Sequence, residues 1–147
     1  MGTVSTQFYN CGGLIGYAPF GTIANSYSTG AVSCPKLNNS SGGFVGNSQS
    51  ATFTNNFTAS PINRSVSGYL GSFAGQDYSP VYDTNYFDVA LTQSNTCAFA
   101  SAGACTGVNV GLNQPNYFKN NTSNGPLSSW DFTNIWSPNS SYPNFRI

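Results

Sequence analysis

The feature that most constrains this chain is a segment that recurs about every 30 residues. "GGLIGYAPFGTIANSYSTGAV" (Gly12 to Val32) aligns without a gap on "GGFVGNSQSATFTNNFTASPI" (Gly42 to Ile62), an offset of 30. A weaker third copy, "GSFAGQDYSPVYDTNYFD" (Gly71 to Asp88), follows at an offset of 29. Apolar residues stay in step: Leu14 with Phe44 and Phe73, Ile15 with Val45 and Ala74, Ile23 with Phe53 and Tyr82, Tyr27 with Phe57 and Tyr86. A period of this length marks one supersecondary unit stacked on copies of itself, because a single unit cannot bury its apolar face alone.

The unit is built of strands. Glycine, β-branched and aromatic residues, Asn and Ser dominate residues 1 to 110, and all are poor choices for a helix interior. Each repeat holds a short apolar run hemmed by glycines, then a longer piece with half-buried alternation. Stacking places Leu14, Phe44 and Phe73 in one interior column and Tyr27, Phe57 and Tyr86 in another. Glycines at 13, 16, 43, 46 and 75 read as positions of positive φ or of close backbone approach at a corner. Asn25 and Asn55 recur at turns, where asparagine stacks in ladders or adopts the left-handed conformation.

The expected fold is therefore all-β, a β-solenoid of about three coils with an irregular aromatic C-terminal cap. The chain reads as one repeat domain. Residues 1–11 form a partial repeat or N-terminal edge, 12–41, 42–70 and 71–88 are the repeats, and 89–147 are a disulfide loop and the cap. "MGTVSTQFYN" lacks the basic start and apolar middle of a signal peptide and reads like mid-repeat sequence. Met1 is thus expected to lie within a longer polypeptide, the alternative being a native N-terminal cap. "LNQPNYFKNN" is expected to make one short helical turn after Pro115. Trp130, Trp136, Tyr142 and Phe145 make the tail aromatic, as a cap over the last coil needs to be.

Charge is scarce: four Lys plus Arg, four Asp, no Glu and no His. With no basic stripe, neither nucleic acid nor an anionic membrane surface is an expected partner. No run of about 18 apolar residues exists to span a bilayer. Aromatics make up 15% of the residues, which argues against disorder. The four cysteines, Cys11, Cys34, Cys97 and Cys105, allow three connectivities. Cys97 and Cys105 bracket a loop of small residues and favour a local bridge, which leaves Cys11 with Cys34. Disulfides fit an oxidising compartment, and four buried free thiols are the alternative. Zinc is not expected, since no C-x2-C pair or His accompanies them.

The motifs "GGLIG" and "GGFVG", each followed by "TIANSYSTGAV" or "TFTNNFTASPI", resemble the GLUG-motif repeats of bacterial surface proteins. "TNYFDV" is similar to the Asn-x-Tyr-Trp-Asp element that closes such arrays, with Phe87 in place of Trp. "WDFTNIWSPNSSYPNFRI" resembles the tail that follows it. The third copy departs from the pattern at Ser72 and Thr84. The resemblance implies a secreted or surface-displayed bacterial protein, either a large adhesin-like polypeptide or a non-catalytic region beside a peptidase, with this chain as a C-terminal module; a homo-oligomeric fibre is a further expectation. It carries no catalytic motif.

Chemistry is thin in the residues themselves. Asp83 and Asp88 lie five apart, a spacing open to a paired-carboxylate site in a polysaccharide-cleaving enzyme, or to Asp88 capping a turn with Asp83 solvated. Asp77 and Asp83 offer oxygen ligands for calcium, without any calcium-loop motif. No metal or cofactor is expected. Binding is better supplied: Asn, Ser and Thr bond neutral hydroxylated ligands, and aromatic faces stack on sugar rings. Tyr9, Tyr17, Tyr78, Tyr117 and Trp130 fall outside the expected columns. The site is expected where regular repeats give way to irregular chain, at Tyr78, Tyr82, Tyr117 and Trp130. The same residues also suit core or cap. The expected function is non-catalytic recognition of a neutral glycan or a host-surface protein, with a ligand-free spacer as the alternative.

Overall fold

The computed structural model describes residues 2–6, 9–35, 37–64, 67–92, 94–100, 104–110, 117–119, 122–123 and 127–147. Of the helical turn expected after Pro115, residues 117–119 are described and are not helical, Lys119 bridging Asn139 instead; the rest lies outside the described residues. The fold is all-β, and nearly all its strand pairing is parallel. After β1 (Thr3–Ser5), the first repeat contributes β2 (Asn10–Gly12), β3 (Ile15–Ala24), β4 (Tyr27–Ser28) and β5 (Ala31–Cys34). The second contributes β6 (Asn39–Gly42), β7 (Val45–Thr54), β8 (Phe57–Thr58) and β9 (Ile62–Arg64). The third gives β10 (Gly68–Gly71), β11 (Ala74–Asp77), β12 (Val81–Asp83) and β13 (Tyr86–Asp88). Equivalent strands lie side by side: β2 with β6 and β10, β3 with β7, β7 with β11 and β12, β4 with β8 and β13, and β1 with β5 and β9.

The register of these ladders is the register of the sequence repeat. Ile15 faces Val45 and Val45 faces Ala74; Ile23 faces Phe53 and Phe53 faces Tyr82; Tyr27 faces Phe57 and Phe57 faces Tyr86. At the corner, Leu14 N donates to Phe44 O and Phe44 N to Phe73 O, each at 3.0 Å. The glycines of "GGxxG" serve close approach here, and none of those at 13, 16, 43, 46 or 75 has a positive φ. A Cβ on Gly46 would sit 2.5 Å from Cys11 N and 2.6 Å from Gly16 O, backbone atoms that cannot swing aside. The strand before the corner thus runs against the strand after it, main chain on main chain. Left-handed backbone falls instead on Asn25, Asn55 and Thr84, at φ 49°, 55° and 54°. Asn55 Nδ2 donates to Asn25 Oδ1, and the Thr84 hydroxyl to Asn55 Oδ1.

A second asparagine ladder, one position on, went unnoticed in the sequence. Asn56 and Asn85 are buried. Asn56 Oδ1 accepts from Ser26 N at 2.9 Å, and Asn85 Oδ1 accepts from Asn56 N at 3.1 Å. Their Nδ2 groups donate to Ile23 O and Phe53 O at 2.9 and 2.8 Å. Each side chain therefore satisfies turn backbone that stacking removes from water. Asn39 and Asn56 each begin an Asn-x-Ser/Thr triplet, and both are fully buried, Asn39 Nδ2 donating to Cys34 O at 2.9 Å, which closes them to glycosylation in the folded chain.

Two large cores result, with a small third cluster of Cys11, Val32 and Cys34. In the first, Phe44 stacks on Phe73 at 4.5 Å and both meet Phe53 edge-on, with Val45, Ala74 and Phe87 around them. Leu14, expected in this column, is 48% exposed. It is the first member of the column in this chain. In the second core, Tyr27 stacks on Phe57 at 5.1 Å, but this column faces away from the first core and is covered by the tail. Trp136 reaches Tyr27 and Phe57, Trp130 reaches Phe57 and Tyr86, and Phe145 packs on Tyr27. The aromatic tail is thus a flank cover along all three repeats rather than a lid on the last one. A short antiparallel pair, β15 (Trp136–Ser137) with β16 (Asn144–Phe145), follows a 3-10 turn at Leu127–Ser129.

Beyond the third repeat, part of the edge is covered by chain that does not resemble the repeat. After the single helical turn α1 (Val89–Thr92), Ser72 N bonds Thr96 O, Ala74 bridges Ala98, and β13 pairs in parallel with β14 (Thr106–Val108). Hydrogen bonding therefore continues past Asp88, with the spacing shortened to 24 and then 20 residues. The Cys97–Cys105 disulfide ties this shortened turn, and Cys11–Cys34 ties the first repeat.

Two outcomes check this arrangement. Gly46→Ala forces a side chain into the backbone of Cys11 and is expected to cost about 1–3 kcal/mol in denaturant unfolding, where a surface alanine costs almost nothing. Replacing Cys97 and Cys105 together by Ser is expected to cost about 2–3 kcal/mol from the loop closed over a separation of 8. Equal stability of that variant would show that the bridge adds nothing to closure.

Candidate functional site

The residue after the corner glycine of each repeat (Gly16, Gly46 and Gly75) opens a row on the outer face: Tyr17, Asn47 and Gln76 stand in register on β3, β7 and β11. A second row, Asn10, Ser40 and Tyr69, stands in register on β2, β6 and β10. The close glycine corner brings the rows together. Ser40 Oγ donates to Gln76 Oε1 at 3.2 Å, and Asn47 Nδ2 donates to the same oxygen at 3.3 Å. Gln76 Nε2 in turn donates to the Tyr78 hydroxyl oxygen at 2.5 Å. Tyr78, 53% exposed, is left with its own O–H to donate outward. Exposed rings flank the amides: Tyr17 on one row, Tyr69 on the other, the latter edge-on to exposed Phe99 at 4.9 Å.

The rest of the expected site does not gather here. Tyr82 is half-buried, stacked on Phe53 at 5.5 Å, with its hydroxyl donating to Asp77 Oδ2 at 3.5 Å. Trp130 is 4% exposed, and its Nε1 donates to Thr84 O at 3.1 Å, so as a ligand platform it is withdrawn. Tyr117 packs edge-on against Tyr86 in the second core. The tail needs these rings to cover the Tyr27–Phe57–Tyr86 column, which composition could not reveal. Of the four expected residues, Tyr78 alone belongs to the amide strip. Asn47, Gln76 and Ser40 were missed, although a polar side chain following Gly46 and Gly75 was a legible signal.

The carboxylates are spent structurally or stand apart. Asp88 is buried: one oxygen accepts from Ala90 N at 2.9 Å to start α1, and the other takes the Tyr142 hydroxyl. Asp83 is exposed on β12. Asp77 lies behind the strip, in register with Ser48, and Asp77 Oδ1 and Ser48 Oγ are buried with no hydrogen-bond partner among the described residues. Asp131 lies in the tail turn, accepting from Thr133 N and Asn134 N; Asn134, by its side chain first, holds this carboxyl below the usual range. A shallow cleft of about 280 Å³ lies between Ser137, Asn144, Phe145, Arg146 and Ile147, away from the amide strip.

Comparison with family models, with curated proteins and with solved structures finds no match for the chain. Its function is therefore argued from the site alone.

Three phenols resist ionisation. Burial, followed by the Asp77 charge, pushes Tyr82 up; burial, followed by the Tyr117 hydrogen bond, pushes Tyr86 up; burial, followed by the Asp88 hydrogen bond, does so for Tyr142. Unfolded tyrosines ionise near pH 10, so above that pH the folded chain holds more protons than the unfolded one. The stability these groups contribute is complete below about pH 10 and is lost as pH rises beyond it. In a tyrosinate absorbance titration, the last part of the signal is expected to appear together with unfolding; full titration of a chain that stays folded would contradict the burial.

Proposed function

We propose that this chain is a non-catalytic recognition module that binds neutral carbohydrate through the strip formed by Asn47, Gln76 and Tyr78, with buried Ser40 positioning Gln76 from behind. The observation that carries the reading is a charge-free row of amides and hydroxyls, fixed by its own hydrogen bonds and flanked by exposed rings. Amides and phenols bond sugar hydroxyls in both senses, and aromatic faces stack on the apolar faces of pyranose rings. Fixing the row in advance lowers the entropy lost on binding. A host-surface protein is the alternative ligand of the same strip.

The wider setting belongs to the same proposal. The parallel stacking supports a β-solenoid, and the "GGLIG" and "GGFVG" motifs support a GLUG-like surface protein of bacterial origin. Two disulfides fit an oxidising, extracellular compartment. No cofactor enters this reading. A second reading, a ligand-free spacer, draws on the fact that the strip's amides are already bonded to one another.

A glycan array on the purified chain, followed by calorimetry with the best ligand, tests this. Gln76→Ala and Tyr78→Ala are each expected to weaken binding about tenfold, which is about 1.4 kcal/mol, with little change in melting temperature. Binding is expected to respond little to salt, because no clustered charge is involved. Silence across the array and on intact target cells would favour the spacer, and turnover of any polysaccharide would overturn the non-catalytic reading.

A further inference from the structure

The amide strip runs across the strands rather than along one of them. Tyr17, Asn47 and Gln76 stand in register on adjacent parallel strands, so they form a straight row in the direction in which the repeats stack. Parallel neighbours lie about 4.8 Å apart, which puts the backbone of Tyr17 about 10 Å from that of Gln76. Exposed rings stand at both ends of the row: Tyr17 on β3, and Tyr78 just past β11. The two amides lie between them, Asn47 Nδ2 donating to Gln76 Oε1 and Gln76 Nε2 to the Tyr78 hydroxyl. Along β3 itself the next exposed ring is Phe20, but Ala18 and Pro19 separate it from Tyr17 and supply no polar side chain. The row stands on the face of a sheet, and pairing at a strand edge leaves a face open.

We propose that the ligand of this strip is an extended, unbranched β-linked glycan of at least three neutral pyranose units, bound along the stacking direction by an internal stretch of its chain. This rests on the carbohydrate reading of the strip and adds length, linkage and direction to it. Length follows from the row, which has three rungs one strand spacing apart, close to the rise of one pyranose unit in an extended chain. One unit stacks on Tyr17, the next faces Asn47, and the third meets Gln76 beside the Tyr78 ring. Linkage follows from straightness. Equatorial β-1,4 bonds keep successive rings on one line with their apolar faces open, whereas α-1,4 bonds curl the chain away from a straight row. Internal recognition follows from the open face, since gripping a chain end takes walls around it. Neutrality follows from the side chains: neither this row nor the neighbouring row of Asn10, Ser40 and Tyr69 holds a charge, so a charged sugar would lose hydration without a counter-charge.

Calorimetry on the purified chain tests the idea, with β-1,4-linked oligosaccharides of glucose, mannose and N-acetylglucosamine of increasing length and the α-1,4-linked glucose series as control. In the best β-linked series, affinity is expected to rise about five- to tenfold between two units and three, the effect of one added ring contact, and the α-linked series is expected to show no such step. Tyr17→Ala is expected to remove the step, and Tyr17→Phe, which keeps the ring, to retain it. Tyr17 is exposed, so both variants are expected to match the wild type in circular dichroism and melting. Equal affinity for two units and three, the same step in the α-linked series, a step that survives Tyr17→Ala, or an array on which only chain ends or branched sugars bind overturns the proposal. Each of those outcomes leaves the carbohydrate reading of the strip in place, whereas an array with no bound sugar removes both.

Discussion

Every layer of this structure depends on main-chain hydrogen bonds that run one repeat along the sequence. Parallel pairing at offsets of 29 and 30 gives each strand its neighbour, and the corner glycines let the main chain before a corner lie against the main chain after it. A methyl group at Gly46 would separate those strands, so the side chains that meet across the corner depend on its absence. Turns are the vulnerable points of such a stack, since burial there leaves donors and acceptors without water. Asn56 and Asn85 answer that need from inside, and Asn25, Asn55 and Thr84 supply the left-handed conformation outside.

The two cores divide the work. Phe44, Phe53 and Phe73 fill the space between the sheets, where repeats bury their own apolar residues. The Tyr27–Phe57–Tyr86 column points the other way and is buried by a tail that lies more than a hundred residues from Tyr27, with Trp136 Nε1 donating to Asn25 Oδ1 at 3.4 Å. The tail therefore locks successive repeats together from the side. Beyond the third repeat, a shortened, disulfide-tied turn bridges β11 and pairs with β13.

With so few charges, the polar surface works through neutral groups. The same corner that forces glycine at position 46 places Asn47 next to Ser40 and Gln76, so the amide strip is a by-product of close backbone approach. Its hydrogen bonds use part of its capacity and orient the rest, with the Tyr78 hydroxyl as the outward donor. At and behind it, Asn47 Oδ1, Asp77 Oδ1 and Ser48 Oγ are buried without a hydrogen-bond partner among the described residues, as is Ser60 Oγ, exceptions to the rule that buried polar groups are paired.

Sequence alone determined the strand class, the ladder register and both disulfide pairings, because each follows from local spacing: a period sets which residues face one another, and Cys97 with Cys105 needs only a short loop. It also singled out Tyr78, as a ring outside the expected columns where regular repeats give way to irregular chain. Tertiary structure decided what depends on which side of a strand is covered and by what. Leu14 is exposed as the first member of its column in this chain, Trp130 is buried because the tail folds back, and residues 94–108 continue the stack without resembling it. Asn47, Gln76 and Ser40 become one site only when two sheets meet at glycine. A one-dimensional pattern fixes neighbours in a ladder, whereas the faces and ends of a stack are set by distant segments that no period relates.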